Sequence, residues 1–293
     1  MHRFFSRILP VVLAGLLLFS CAGISRIKET VQKQSLKQKV LYAPFHNPWQ
    51  EQGVVMDERF GATMRDCLGE SHGQLVFVDS PALEQAVAEH HGALTGLGGL
   101  DELMEQARNE GVNAIVTGRL AHVSVQREKR GFIGMRKTVP VMRVAIHIWI
   151  YDALSGSKLL DEDLVRHIAL DHEPAPNTLP AVTWSAEWEE MARTAGRMAC
   201  NAMRRLEWRS FVLDTEEEML TFGAGMDVGI VPGTGLFVIR PVVRSKGPLG
   251  QRFIFSGDNI GTIQVLETEP DKSKAGRISG GPFQPGDWVT PVR

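Results

Sequence analysis

Cysteine is scarce, long apolar runs are missing and neither sign of charge dominates this 293-residue sequence, and each shortage narrows what it can be. A membrane-crossing helix needs roughly 20 apolar residues. The run from Ile8 to Phe19 reaches only about a dozen and is broken by Pro10 and Gly15, so a permanent span is not expected there. Lys and Arg number 32 against 34 Asp and Glu, for a formal net charge of −2. That balance speaks against nucleic acid as a partner, which calls for a clustered basic surface. With three cysteines, Cys21, Cys67 and Cys200, no dense disulfide framework is available. Catalytic constellations are not expected either: neither a Gly-x-Ser-x-Gly nucleophile elbow nor a His-Glu-x-x-His zinc helix is anticipated among the elements.

What is present begins at the amino terminus. Arg3 and Arg7 precede the Ile8 to Phe19 run, and the small residue Ser20 directly precedes Cys21. A charged region, an apolar region and a small-residue cleavage site follow in the order of a secretory signal. Leu18-Phe19-Ser20-Cys21 closely resembles the signal of bacterial lipoproteins. The resemblance implies residues 1–20 as a cleaved signal peptide and Cys21 as the attachment site of a diacylglyceryl and an N-acyl lipid, with no other cofactor. Ala22, rather than aspartate, follows the cysteine, which by the enteric sorting rule implies the periplasmic face of the outer membrane. Residues 21–37 read as a tether, with Lys28, Lys33 and Lys37 against the single acid Glu29.

Residues 38–206 alternate strand and helix patterns, as an α/β layered arrangement does. Val40 to Phe45 and Val76 to Asp79 read as short strands, the second buried, with a helix from Asp57 to Ser71 between them. Ser80-Pro81 caps a helix running to about His90, and Asp101 leads another to Glu110. Two long strands are expected from Ile115 to Gln126 and from Val139 to Asp152. In the second, Met142, Val144, Ile146, Ile148 and Ile150 form one apolar face. Ser155-Gly156 turns the chain into a third strand ending near Ile168. Trp184, Trp188, Met191, Ala195, Met198, Ala202 and Leu206 then form a helical stripe, opposite Arg193, Arg197, Arg204 and Cys200. Cys67 shares a face with Phe60, Met64 and Leu68, so the two remaining thiols are expected not to meet.

Several of these segments carry a resemblance: Val40 to Phe45, the strand ending at Asp79, Gly111 to Gly118, and Tyr151-Asp152-Ala153-Leu154-Ser155-Gly156. In order and spacing they are similar to the α/β domain shared by the amino-terminal part of TolB, the curli-secretion lipoprotein CsgG and the middle domain of flagellar assembly protein T. From about Ser210 the pattern is all β, with short apolar runs separated by Gly/Pro turns, the mark of a small barrel or sandwich. Gly229 to Val238, Ile260 to Val265 and Pro285 to Val289 resemble the carboxy-terminal, SH3-like barrel of flagellar assembly protein T. That family has a further amino-terminal domain where only an anchor and a tether are expected here. The fold class is thus α+β: an α/β-like layered domain over residues 38–206, then a small all-β SH3-like barrel over 210–293.

Candidate sites are few. Gly96-Leu97-Gly98-Gly99 reads as a loop, since no strand feeds it and no Gly-Lys-Ser/Thr follows. His90-His91 and His167 with Asp171-His172-Glu173 read as surface histidines, and no metal site is expected. The distinctive stretch joins the two long strands, where Arg127, Lys129, Arg130, Arg136 and Lys137 bracket Phe132, Ile133 and Met135. Two readings stay open for it: the glycines fold the apolar side chains back onto the domain, or the tip is a contact surface for a protein partner or an anionic membrane. The resemblances imply a non-enzymatic envelope lipoprotein that works as an assembly or docking factor, most specifically beside the flagellar basal body, with envelope proteins such as flagellar ring components as partners. They leave an oligomer open. A CsgG-like secretion component and a lipoprotein activator of peptidoglycan synthesis are the alternatives.

Overall fold

Two long antiparallel strands, rather than the helices, form the backbone of the first half of the fold. The computed structural model describes residues 36–50, 58–89, 100–132, 134–172, 185–246 and 252–292. Its first part is a five-stranded sheet built from β1 (Gln38–Tyr42), β2 (Leu75–Val78), β3 (Ala114–Arg130), β4 (Lys137–Asp152) and β5 (Lys158–Ala169), in the order β2-β1-β3-β4-β5. β1 runs parallel to β2 and to β3, while β3, β4 and β5 form an antiparallel meander. The parallel pairs need helical crossovers. These are α1 (Glu58–His72) between β1 and β2, then α2 (Pro81–Glu89) and α3 (Leu100–Asn109) between β2 and β3. Ser80 opens α2 as expected, its Oγ accepting from the Leu83 N–H at 3.2 Å.

Alternation along β4 places two cores. Met142, Val144, Ile146, Ile148 and Ile150 face α1 and α4 (Ala186–Met203), together with Val40, Val116, Leu164 and Ile168. Trp149 and Tyr151, on the opposite face, pack with Leu41, Ile115 and the α2 and α3 residues Leu83, Val87 and Leu103. Farther along that second face the half-buried polar residues Arg143 and His147 alternate with the buried Val141 and Ala145. β2 is half-buried rather than buried, because it is the edge of the sheet.

Two other expectations change. β3 and β4 extend to Arg130 and Lys137, so most of the basic residues sit in strands and only Arg136 in the turn. Cys200 is buried, at 1 % exposure, although it follows the arginine phase of its helix. The cause is that α4 is covered on two sides, by the sheet and by α1. Gly196 lets α1 come so close that a Cβ there would lie 2.8 Å from the Met64 carbonyl oxygen and 2.9 Å from the Cys67 Cβ. The buried side therefore includes Ala192, Gly196, Ala199 and Cys200 as well as Trp188, Met191 and Ala195, while Arg193 and Arg197 pair with Glu189 and Glu190 on the outside. Cys67 is buried as expected, and neither thiol is in a disulfide. Trp184 lies outside the described residues, as do Gly96 to Gly99, His90, His91 and Glu173.

The second part is a closed barrel of β6 (Ser210–Glu216), β7 (Met219–Phe222), β8 (Gly235–Ile239), β11 (Asn259–Thr268), β12 (Ser273–Gly280) and β13 (Trp288–Pro291), in the order β11-β12-β7-β6-β13-β8. A separate hairpin of β9 (Val242–Lys246) and β10 (Arg252–Phe255), which the sequence pattern had not suggested, stands beside it. Just before β13, Asp287 is fully buried and holds Arg240 through two bonds, Nε to Oδ1 at 3.0 Å and Nη2 to Oδ2 at 2.9 Å.

Barrel and sheet belong to one compact unit, Lys37–Arg293, and polar bonds stitch them together. Asn113 Nδ2 donates to the Arg209 carbonyl, while its Oδ1 accepts from the Lys39 N–H at 2.8 Å. Trp208 Nε1 donates to the Lys37 carbonyl at 2.9 Å, and Lys39 Nζ pairs with Asp227 at 3.0 Å. The Arg209 guanidinium lies 4.7 Å from the Trp288 ring centre and 3.6 Å from Asp152.

Candidate functional site

The β3–β4 hairpin outruns its neighbour. β5 pairs with β4 only as far as Val141 opposite Ala169, and Leu170 adds one bond to the Pro140 carbonyl at 3.0 Å. Four further pairs continue without a third strand: Arg127 with Pro140, Glu128 with Val139, Lys129 with Thr138, and Arg130 with Lys137. At about 3.4 Å per residue this is a two-stranded ribbon roughly 13 Å long, topped by a turn. The turn closes with the Met135 N–H donating to the Phe132 carbonyl at 2.9 Å, and Gly131 and Gly134 take φ values of 115° and 94° that other residues resist.

Phe132 is 88 % exposed and Met135 77 % exposed, so the fold-back reading fails for both. Ile133 lies outside the described residues, as does Cys21. Arg127, Lys129, Arg130, Arg136 and Lys137 are all exposed. Because opposed residues share a face and successive ones alternate, Arg127 and Lys129 lie on one face of the ribbon and Arg130 and Lys137 on the other. Glu128 is the one acid among them. It accepts from His167 Nδ1 at 2.7 Å, from Gln126 Nε2 at 3.1 Å and from Arg130 Nη2 at 3.2 Å. The hydrogen bond from His167, with help from Arg130 and Gln126, holds its carboxyl below the usual glutamate range. The acid thus ties the ribbon base to β5 and leaves the outer cations in excess.

A second polar cluster escaped the sequence reading. His147 is held between two carboxylates, Nδ1 2.7 Å from Asp163 Oδ1 and Nε2 2.5 Å from Asp161 Oδ1, an arrangement satisfied by the doubly protonated ring. Burial raises the Asp161 carboxyl, but hydrogen bonds from Lys158 and His147 outweigh it and leave the group below its ordinary value. Register sets Asp163 opposite His147 and Asp161 opposite Trp149, but a bulge between Ile150 and Tyr151 shifts the pairing by one residue, so counting rungs back from the Ser155-Gly156 turn would have placed Glu162 opposite His147 instead. The acids sit on opposite sides of the ring, so they cannot converge on one ion with it. Among the described residues no group of three His, Cys, Asp or Glu is arranged to hold a metal. His167 is engaged by Glu128, and Asp171 and His172 are exposed.

The letters Gly-x-Ser-x-Gly do occur, at Gly69-Glu70-Ser71-His72-Gly73, a spacing the motif reading passed over. They lie where α1 ends and the chain leads into β2. A nucleophile elbow needs the reverse, a strand entering a helix. An open cleft of about 670 Å³ lies beside the end of β1, lined by Tyr42, Phe45, Phe60, Gly61, Arg65 and Asp66 among others. Burial pushes the Tyr42 hydroxyl up, and its bond there is to the Met64 sulfur at 3.8 Å. No helix of the described residues is long and apolar enough to cross a membrane.

No family model matches the chain, and no curated protein matches it. Solved structures that overlap it include the hypothetical protein CT253 from Chlamydia trachomatis, at 12 % identity and a TM-score of 0.37, covering 57 % of this chain and 96 % of that one. Lipoprotein GNA1162 from Neisseria meningitidis overlaps at 10 % identity and a TM-score of 0.32, covering 56 % of this chain and 99 % of that one. The LpoB C-terminal domain from Salmonella enterica does so at 14 % identity and a TM-score of 0.27, covering 48 % of this chain and 91 % of that one. Bacterial lipoproteins are therefore among the structures that overlap it, at scores too low to carry a functional argument.

Proposed function

We propose that this chain is an envelope lipoprotein, held by lipid on Cys21 at the periplasmic face of the outer membrane, that acts without catalysis as an assembly or docking factor. The observation that carries the reading is Leu18-Phe19-Ser20-Cys21, placed behind a charged and then an apolar segment in the order lipoprotein signals use. The joined body is compatible with it: the Asn113, Trp208 and Lys39 bonds tie sheet and barrel together, as suits a part that must hold one partner at a set distance from another. The finer reading, a flagellar basal-body accessory that meets ring components, rests on the resemblance of the two halves to flagellar assembly protein T.

Two measurements test it. Intact-mass analysis of the membrane fraction should show a chain that begins at Cys21 and carries diacylglyceryl and acyl mass, and Cys21→Ser should abolish both the added mass and the membrane retention. A wild-type chain without lipid mass overturns the anchor. Crosslinking in intact envelopes, followed by mass spectrometry, should then recover flagellar ring proteins. Recovery of secretion components or of a peptidoglycan synthase in their place refutes the flagellar assignment.

A further inference from the structure

We infer that the tip of the β3–β4 ribbon is a membrane-contact device that docks end-on against anionic phospholipid headgroups. It deepens the envelope reading by adding a second membrane contact to the anchor, and the test below omits the lipid so that the two can fail separately. Three features of the tip point to a bilayer surface.

The first is order along the axis. Phe132 and Met135 project at the apex, the Arg130–Lys137 pair and Arg136 follow directly behind, and Arg127 lies three rungs, roughly 10 Å, farther back. An interfacial segment buries its apolar part about 5–10 Å into the headgroup and acyl boundary, with cations beside the phosphates above it. The second is distribution around the axis. Arg127 and Lys129 are on one ribbon face, and Arg130 and Lys137 are on the other. A protein partner reads one face, whereas a planar anionic surface approached end-on meets cations at any rotation of the ribbon. The third is the charge balance. Five basic side chains surround the single acid Glu128, which lies toward the base and is already occupied by His167 and Arg130. Each cation near an anionic surface adds attraction, and long Lys and Arg stems let the apex sink while the charges stay in the headgroup layer.

Vesicle flotation tests this with the processed chain, residues 21–293 carrying Cys21→Ser, on phosphatidylcholine vesicles and on mixed phosphatidylcholine–phosphatidylglycerol vesicles. The chain should float with the mixed vesicles and stay behind with the neutral ones. Lys129→Gln with Arg136→Gln should weaken partitioning about 30-fold, the effect of two charges near the surface. Phe132→Ser with Met135→Ser should weaken it by at least about tenfold through lost apolar burial. All forms keep the same basic tether, so differences between them report the tip, and matched thermal melts establish that each variant is folded. Failure of the wild-type chain to float overturns the inference, as does flotation of both variants at wild-type strength. Self-association that both variants abolish, without vesicle binding, overturns it in favour of a second copy of the chain.

Discussion

Asn113 is where the coupling of sheet and barrel can be tested most directly. Its side chain is 3 % exposed and serves two backbone groups at once: the Lys39 N–H at 2.8 Å on β1, and the Arg209 carbonyl at the entry to the barrel. Its own backbone adds bonds to the Lys39 carbonyl at 2.8 Å and from the Ala153 N–H at 3.0 Å, and these survive any side-chain change. Asn113→Ala orphans the Lys39 N–H and the Arg209 carbonyl. A buried group left unpaired costs about 1–3 kcal/mol. Lys39 is buried, so its N–H falls toward the upper end, while Arg209 is half-buried and water can partly replace the lost donor. The expected loss is about 3 kcal/mol, or roughly 6–12 °C in Tm for a unit of this size. Urea and thermal melts followed by circular dichroism measure it. If the side chain also couples the two parts, the wild-type chain unfolds in one transition and the variant shows a broader or split one. A variant that melts within about 2 °C of wild type, in one equally sharp transition, refutes the assignment of Asn113 as the stitch.

Arg240→Met removes the bidentate partner of a fully buried carboxylate, Asp287, leaving it, among the described residues, the Gln284 N–H at 2.9 Å. Because the guanidinium is partly exposed, the cost belongs at the low end for a broken buried pair, about 3 kcal/mol by urea denaturation, and adding Asp287→Leu should recover much of it. Gly196→Ala pushes a methyl group against α1 and should destabilise by about 1–3 kcal/mol while making the Cys200 thiol react faster with an aromatic disulfide reagent. Glu128 and Asp161 have carboxyls held below their ordinary values in the folded chain, so the unfolded chain binds more protons in acid. The stability they contribute is therefore complete above the ordinary glutamate value of 4.5 and is lost as pH falls through the lowered values; Glu128→Gln should flatten the acid limb of a urea-midpoint profile. Phe132→Ser with Met135→Ser should move stability by no more than about 0.5 kcal/mol, since both side chains are exposed.

Elements whose side chains alone report their surroundings were readable in the sequence. The Met142 to Ile150 alternation is one, since each side chain on that face meets the same core, and Ser80-Pro81 is another, since capping is local. Cys200 was misjudged because a single buried stripe describes a helix lying on one surface, whereas α4 is enclosed by both the sheet and α1. The decisive residue is Gly196, whose missing side chain contributes nothing to an apolar pattern but sets how near α1 can come. The β9–β10 hairpin was missed for a different reason. Val242-Val243 and Phe253-Ile254-Phe255 are apolar runs too short to separate strand from loop by period.

The candidate site divides along the same line. Its composition is local, and five cations around Phe132 and Met135 were visible as letters. Its shape is not local, because the end of β3 is charged and gives no apolar alternation, yet strand pairing needs only backbone bonds and carries the ribbon out to Arg130 and Lys137. The ribbon projects because β5 stops pairing at Ala169, and that end point depends on a chain segment about 35 residues from the tip. His167 follows the same logic. From the sequence it stood beside Asp171 and His172 as a surface histidine, but the meander brings it to Glu128 at the base of the ribbon. The residue that fastens the hairpin to the body thus comes from the strand that leaves its tip uncovered, so the place where the ribbon separates from the sheet is set by β5 rather than by the sequence of the tip itself.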